Sequence, residues 1–205
     1  MFKKLFQLIV FSSLLISFNT AVAGENIKFV LDFQPASILV ADDIDDFALS
    51  SRSGYIVEYV DGNALWTPSL KAGVGFNVNK MISMDVTAGL GYLVGGEVLS
   101  APFYLVDVSA NFKLGKAITL GPHLSYIMID ELEWDGVSDA DFGDTSGIAG
   151  GLAVTAGHEK MSFSLSVDVV SLDEVDVEGR NGWHASQPSM DLSGWMVNMG
   201  IKMKF

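Results

Sequence analysis

The chain has 205 residues, 49% of them hydrophobic, and sets 25 Asp and Glu against 12 Lys and Arg for a net charge of -13. Such acidity excludes a general nucleic-acid binder, which needs a basic face to neutralise phosphates. The chain is too apolar to be an acidic disordered one, and without cysteine it has no disulfide framework, thiol nucleophile or thiolate metal site.

Met1-Phe2-Lys3-Lys4 is a short basic start, Leu5 to Phe18 is an apolar stretch of 14 residues, and Ala21-Val22-Ala23 is a small-x-small end. That layout predicts a secretory signal peptide over residues 1–23, cleaved after Ala23. The apolar stretch is shorter than the roughly 18–20 residues a spanning helix needs. No later apolar run approaches that length, so no membrane-spanning helix is predicted.

Two segments compete to be the first strand. In 26–34, Ile27, Phe29, Leu31 and Phe33 alternate with other residues. In 47–60, Phe47, Leu49, Ser51, Ser53, Tyr55, Val57 and Tyr59 alternate with Ala48, Ser50, Arg52, Gly54, Ile56 and Glu58. A tight turn at Asp61-Gly62-Asn63 would pair Tyr59 with Trp66 and Tyr55 with Leu70 on one face. The expected first strand is therefore 47–60, with 26–34 the alternative, and residues 24–46 become an N-terminal periplasmic arm or plug.

From Trp66 onward period two dominates, the signature of strands with one apolar and one polar face. Leu70, Ala72, Val74 and Phe76 oppose Lys71, Gly73, Gly75 and Asn77. Through 82–92 every even position is apolar and every odd one is polar or glycine. Tyr104, Val106, Val108, Ala110 and Phe112 oppose Asp107, Ser109, Asn111 and Lys113; Pro122, Leu124 and Tyr126 oppose His123 and Ser125. The segment 145–157 is weaker, because Gly and Ala occupy both faces. Met161 to Val169 and Trp195 to Phe205 alternate again. Tight turns at Asn79-Lys80, Gly115-Lys116 and Gly157–Lys160 take turns with longer connections at 94–100, 131–144 and 173–190.

Short turns alternating with long loops between strands of about 12 residues are the rhythm of an up-and-down membrane barrel, with the tight turns at the periplasmic end. A soluble β-sandwich would carry Lys, Glu and Arg on its polar faces; here those faces are mostly Gly, Ser, Thr and Asn, which suit a narrow barrel interior. Aromatics collect near strand ends, with Tyr59, Trp66, Tyr92, Tyr104 and Trp195 toward the outer rim and Phe47, Phe76, Phe112, Phe163 and Phe205 toward the inner one. The predicted fold is all-β: an eight-stranded antiparallel up-and-down transmembrane β-barrel over 47–205.

This strand pattern, with the tail Met199-Gly200-Ile201-Lys202-Met203-Lys204-Phe205, resembles the small eight-stranded outer-membrane barrels, the OmpA/OmpX-like group. The resemblance implies a bacterial outer-membrane location in a Gram-negative cell. It also implies that the terminal aromatic tail is presented to the outer-membrane assembly machinery. It implies location more than activity.

Inside the barrel the expected charges are Arg52, Glu58, Lys71, Asp85, Asp107, Lys113, His123, Asp168, Lys202 and Lys204. Arg52, Lys71, Asp107, His123 and Asp168 fall at similar mid-membrane height, as a closed ionic core or as a narrow ion path with His123 its titrating member. His123-x-Ser125 superficially resembles the His-x-Ser pair of outer-membrane lipid A deacylases, but both residues point inward, away from acyl chains. Glu131, Glu133, Asp135, Asp139, Asp141 and Asp144 place six acids in 14 residues, and Asp173, Glu174, Asp176 and Glu178 add four more. Asp135, Asp139, Asp141 and Asp144 are weak calcium candidates whose spacing does not match a helix-flanked calcium loop. His184 and Ser186 could be drawn as a hydrolytic site.

The expected role is that of a monomeric, non-enzymatic integral barrel without cofactor or catalytic residue, its acidic outer loops serving a surface structural, binding or adhesion function. A narrow channel for ions or small solutes is the alternative, and a lipid-modifying or proteolytic enzyme the second. Expected partners are outer-membrane lipid and lipopolysaccharide, the assembly machinery, and divalent cations or a host surface at the loops. No nucleic acid is expected.

Overall fold

The computed structural model describes residues 27–42, 44, 47–54, 56–96, 98–158 and 160–205; the predicted signal peptide, 1–23, lies outside them. Period-two segments close into a ring of eight antiparallel strands. These are β1 (Ile27–Ala41), β2 (Ser69–Asn77), β3 (Ile82–Gly95), β4 (Leu99–Lys113), β5 (Ile118–Ile129), β6 (Thr145–His158), β7 (Met161–Leu172) and β8 (Gly194–Lys204). Each pairs with the next, and β8 returns to pair with β1. At the closure, Phe205 and Phe29 exchange backbone hydrogen bonds of 2.9 and 3.1 Å, and their rings sit 6.1 Å apart.

The first strand of the wall is Ile27–Ala41, which takes up the alternative segment 26–34 and runs beyond it, and not 47–60. It is 15 residues long, and its outward side chains include Phe33, Ile38 and Val40. The 47–60 segment would have put Ser51 and Ser53 against lipid in mid-strand, where their hydroxyls find no partner. Residues 27–41 are thus barrel wall, not an arm or plug. The 47–60 segment instead supplies two short strands, Ala48–Ser51 and Val57–Tyr59, in the first outer loop. The strand Ala64–Trp66 then extends the wall above Pro68, pairing with both β1 and β3.

β1 changes phase once. Its register shifts between Phe33 and Ala36, so Val30, Asp32 and Gln34 face inward below the shift and Ser37, Leu39 and Ala41 above it. Pro35 sits in this bulge, where its missing N–H costs no ladder bond. β6, weak by pattern, is paired over its length on both sides. The 94–100 connection proves tight, because β3 runs to Gly95 and β4 begins at Leu99.

Outward positions on every strand are apolar and exposed, among them Leu70, Leu90, Val108, Leu124, Leu152, Val167 and Ile201. Such a continuous apolar surface is stable only in lipid. Trp66, Tyr92 and Trp195 stand exposed at its outer edge and Phe112, Phe163 and Phe205 at its inner edge. Phe47, expected in the inner girdle, lies instead in the loop core at the other end.

The apolar belt makes a quantitative prediction. Phe33→Lys, at mid-wall, should lower stability in vesicles by about 2–4 kcal/mol. Ser53→Lys, in the first outer loop, should shift the urea midpoint little. If 47–60 rather than 27–41 formed the wall, the two effects would be reversed.

Candidate functional site

Alternation sends one side chain in two into a lumen too narrow for a water column. In the inner half of the barrel those side chains are charged and hydroxylic. Asp32, Lys71, Asp85, Asp107, Asp168 and Lys202 are all buried, Asp168 completely at 0% exposure. Burying charge is costly unless partners are close, and here they are.

Lys71 Nζ lies 3.2 Å from Asp32 on the neighbouring strand. Lys204 Nζ reaches both Asp85 oxygens at 2.7 and 2.9 Å, and Lys202 reaches Asp85 Oδ2 at 3.3 Å. His123 stands between two carboxylates: Nδ1 is 2.9 Å from Asp107 Oδ2, and Nε2 is 2.6 Å from Asp168 Oδ1. The second contact is an ion pair between two buried atoms. Ionised carboxylates only accept, so the ring satisfies both neighbours only as the imidazolium.

Neutral groups complete the network. Ser125 Oγ donates to Asp107 at 2.7 Å, and Asn111 Nδ2 to Asp85 at 3.2 Å. Asn198 Nδ2 donates to Asp168 at 2.7 Å and receives the Ser37 hydroxyl on its carbonyl oxygen. Glycine makes the room: a Cβ on Gly75 would strike the Asp85 carboxylate, and one on Gly151 would strike Asp168.

Of the five lumen residues expected from sequence, Lys71, Asp107, His123 and Asp168 meet here. Arg52 does not. It lies exposed beyond the strand Ala48–Ser51, its backbone N–H bonded to Gly182 O at 2.7 Å, because 47–60 is loop rather than wall. Asp32 stands in the lumen instead, and its inward phase within Ile27–Phe33 was the available signal. Glu58 likewise leaves the lumen for the outer loops.

Above this network the lumen turns apolar. Leu93, Leu99, Ala101, Phe103, Leu105, Ile127, Ile129, Val170 and Leu172 face inward and are buried. Ile44, Phe47, Leu49 and Val60 of the first loop pack into the same cluster from above, with Phe142, Val175, Met190 and Leu192 of the later loops. Phe47 and Phe142 flank Trp134, whose indole stacks on Phe142 at 5.8 Å. The outer loops are therefore an ordered cap with its own core, not a solvated fringe.

Two small sheets build that cap. One joins Trp183–Ala185, Ala48–Ser51 and Val57–Tyr59; the other joins Ala140–Phe142, Val175–Gly179 and Ser189–Met190. Glu58 ties the first loop to the loop between β5 and β6. Its carboxylate accepts from Trp134 Nε1 at 2.9 Å, from the backbone N–H of Val137 at 2.8 Å and of Ser138 at 2.9 Å, and from the Ser138 hydroxyl. Burial works to raise its pKa, but these four donors outweigh it and hold the group at about 2, against 4.5 when free.

The calcium candidates do not converge. Asp141 pairs with Arg180, Asp139 accepts from Asn181, and among the described residues no three His, Asp or Glu side chains gather as metal ligands. Glu131, Asp141, Asp144, Asp176 and Glu178 line an open cleft of about 290 Å³. The drawn hydrolytic pair is likewise apart in function: Ser186 Oγ accepts the Ala48 N–H, and Ser50 Oγ bonds the His184 backbone oxygen.

Two outcomes follow from this geometry. Lys71→Met strands Asp32 and should cost about 3–5 kcal/mol by denaturant titration, most of it recovered in Asp32→Leu/Lys71→Met. For Glu58, the folded pKa is depressed, so its contribution is complete above pH 4.5 and is lost as pH falls through about 2. Hydrogen-exchange protection factors in the first outer loop should therefore be high at neutral pH and fall toward pH 2, and Glu58→Gln should lower them at neutral pH and flatten that pH dependence.

No protein-family model matches the chain, and no curated protein matches it. Solved structures do. The outer membrane protein OprG from Pseudomonas aeruginosa is 13% identical over 89% of this chain and 98% of its own, with a TM-score of 0.51. Neisserial surface protein A is 15% identical over 88% and 100%, with a TM-score of 0.47. AlkL is 16% identical over 89% and 92%, at 0.46. Identities this low establish fold alone. By that fold and by its lipid-facing surface, the chain is an eight-stranded β-barrel of the outer-membrane type.

Proposed function

We propose that the chain is a non-conducting, non-enzymatic surface barrel whose ordered acidic cap is a binding and structural platform outside the cell. One observation carries this reading: the mouth is filled by Phe47, Ile44, Leu49 and Val60 seated on inward apolar residues of the wall. Ions crossing here would have to shed water into an apolar plug and then pass a set of already paired charges. The plug is part of a packed core, so opening it costs the burial of several large side chains.

The arrangement of potential catalytic groups supports the non-enzymatic half of the reading. Ser125 donates to Asp107 rather than to His123, so no base activates it. His123 is engaged by two carboxylates inside the wall, out of reach of lipid or loop substrates. Outside, the cap offers carboxylates in number, with Arg52 and Arg180 as the bases of its described segments. Its partner chemistry is therefore cationic: a basic patch on another surface, or divalent cations bridging to anionic lipopolysaccharide.

The test is planar-bilayer recording of the folded mature chain, with a heat-modifiable gel shift as the folding control. The protein should stay silent. Discrete conductance steps that change in Asp107→Asn or Lys71→Met would replace this reading with the channel.

A further inference from the structure

Charge is sorted along the barrel axis. Carboxylates crowd the cap, whereas lysines gather at the opposite end. Lys80 lies in the turn between β2 and β3, Lys116 between β4 and β5, and Lys160 between β6 and β7. Each of the three turns at this end thus holds one, and Lys28 and Lys113 stand on strand ends at the same rim. The three turn lysines are exposed, and none pairs with a carboxylate among the described residues. Glu159 adjoins Lys160 in sequence, so Lys80 and Lys116 carry most of the contrast.

A second feature recurs in the same turns. Met81 is 62% exposed, Leu114 65% and Met161 60%, and Val78 is also exposed. Each large apolar side chain lies within two residues of a turn lysine. Together they continue the lipid-facing surface formed by Ile118, Phe112 and Phe163 on the adjoining strand ends. An aqueous partner would not account for apolar residues at each turn tip. A membrane interface does: the apolar body sits at the acyl boundary and the ammonium extends to the phosphates.

We propose that this tight-turn rim docks the anionic phospholipid headgroups of the periplasmic leaflet, with Lys80, Lys116 and Lys160 as the phosphate contacts. Charge complementarity and continuity with the apolar belt select that occupant. Lipopolysaccharide belongs to the other leaflet, where the barrel presents acid. Near an anionic bilayer each lysine favours association by about fivefold, and salt screens the effect.

The full mature chain, folded in detergent, is mixed with equal phosphatidylglycerol and phosphatidylcholine of matched acyl chains, and the lipids it retains are counted by native mass spectrometry. Phosphatidylglycerol should be retained at least about threefold over phosphatidylcholine. Lys80→Gln/Lys116→Gln/Lys160→Gln should bring the ratio to parity, with the heat-modifiable gel shift confirming the barrel. Should the triple variant not fold, Lys80→Gln and Lys116→Gln alone must each lower the ratio. Equal retention by the unmodified chain overturns the proposal, and so does a preference that survives these substitutions.

Discussion

Everything inside this barrel follows from the want of space to hydrate a buried charge. Eight strands enclose a lumen that side chains fill, so any ionised group pointing inward must find its counter-ion on another strand. Asp32 and Lys71 do so across one strand pair, whereas Asp85 gathers two lysines from β8 across the lumen. His123 joins Asp107 of β4 to Asp168 of β7. Because each pair ties different strands, the network specifies which walls face one another as well as neutralising charge. Glycine at Gly75 and Gly151 is the complement of that packing, since the carboxylates of Asp85 and Asp168 occupy the volume a side chain would take.

The same constraint is met differently in the outer half. There the inward positions are apolar and need a partner from outside the ring, which the first loop supplies. The Ile44–Val60 segment does for the mouth what a sheet would do for the open face of a sandwich. Glu58 then anchors it sideways through four donors from the Trp134–Ser138 segment. Barrel and cap form one continuous core, which is why acidic loops that repel one another are nevertheless ordered.

Period two was legible from Trp66 to the end of the chain because lipid and lumen make opposite demands on successive residues. It placed Lys71, Asp107, His123 and Asp168 on the inner face, where they meet. It could not choose between 26–34 and 47–60, since alternation reports faces and not neighbours; Arg52 was misplaced and Asp32 missed for that one reason. The phase shift at Pro35 also disguised the length of β1, whose upper half reads out of step with its lower half. The plug was written in the sequence as apolar residues on both faces of the outer strand ends, as at Leu99, Ala101, Phe103 and Leu105 beside Tyr104 and Val106. Strands of two to five residues in the cap are too short for any periodicity to register.

The meeting of Phe29 with Phe205 has a consequence for how the molecule is made. The two residues close the first strand of the wall onto the last, so the seam between β1 and β8 has the largest sequence separation of any neighbouring strand pair, and closing it forfeits the most loop entropy. Until β8 arrives, β1 is a bare edge 15 residues long, unpaired on one side and greasy on its outer face. A nascent barrel is thus most prone to join the wrong chain just before its final strand is delivered. The residues most exposed to mispairing in that interval are those of β1 that later bond to the last strand, Val30 to Ala41.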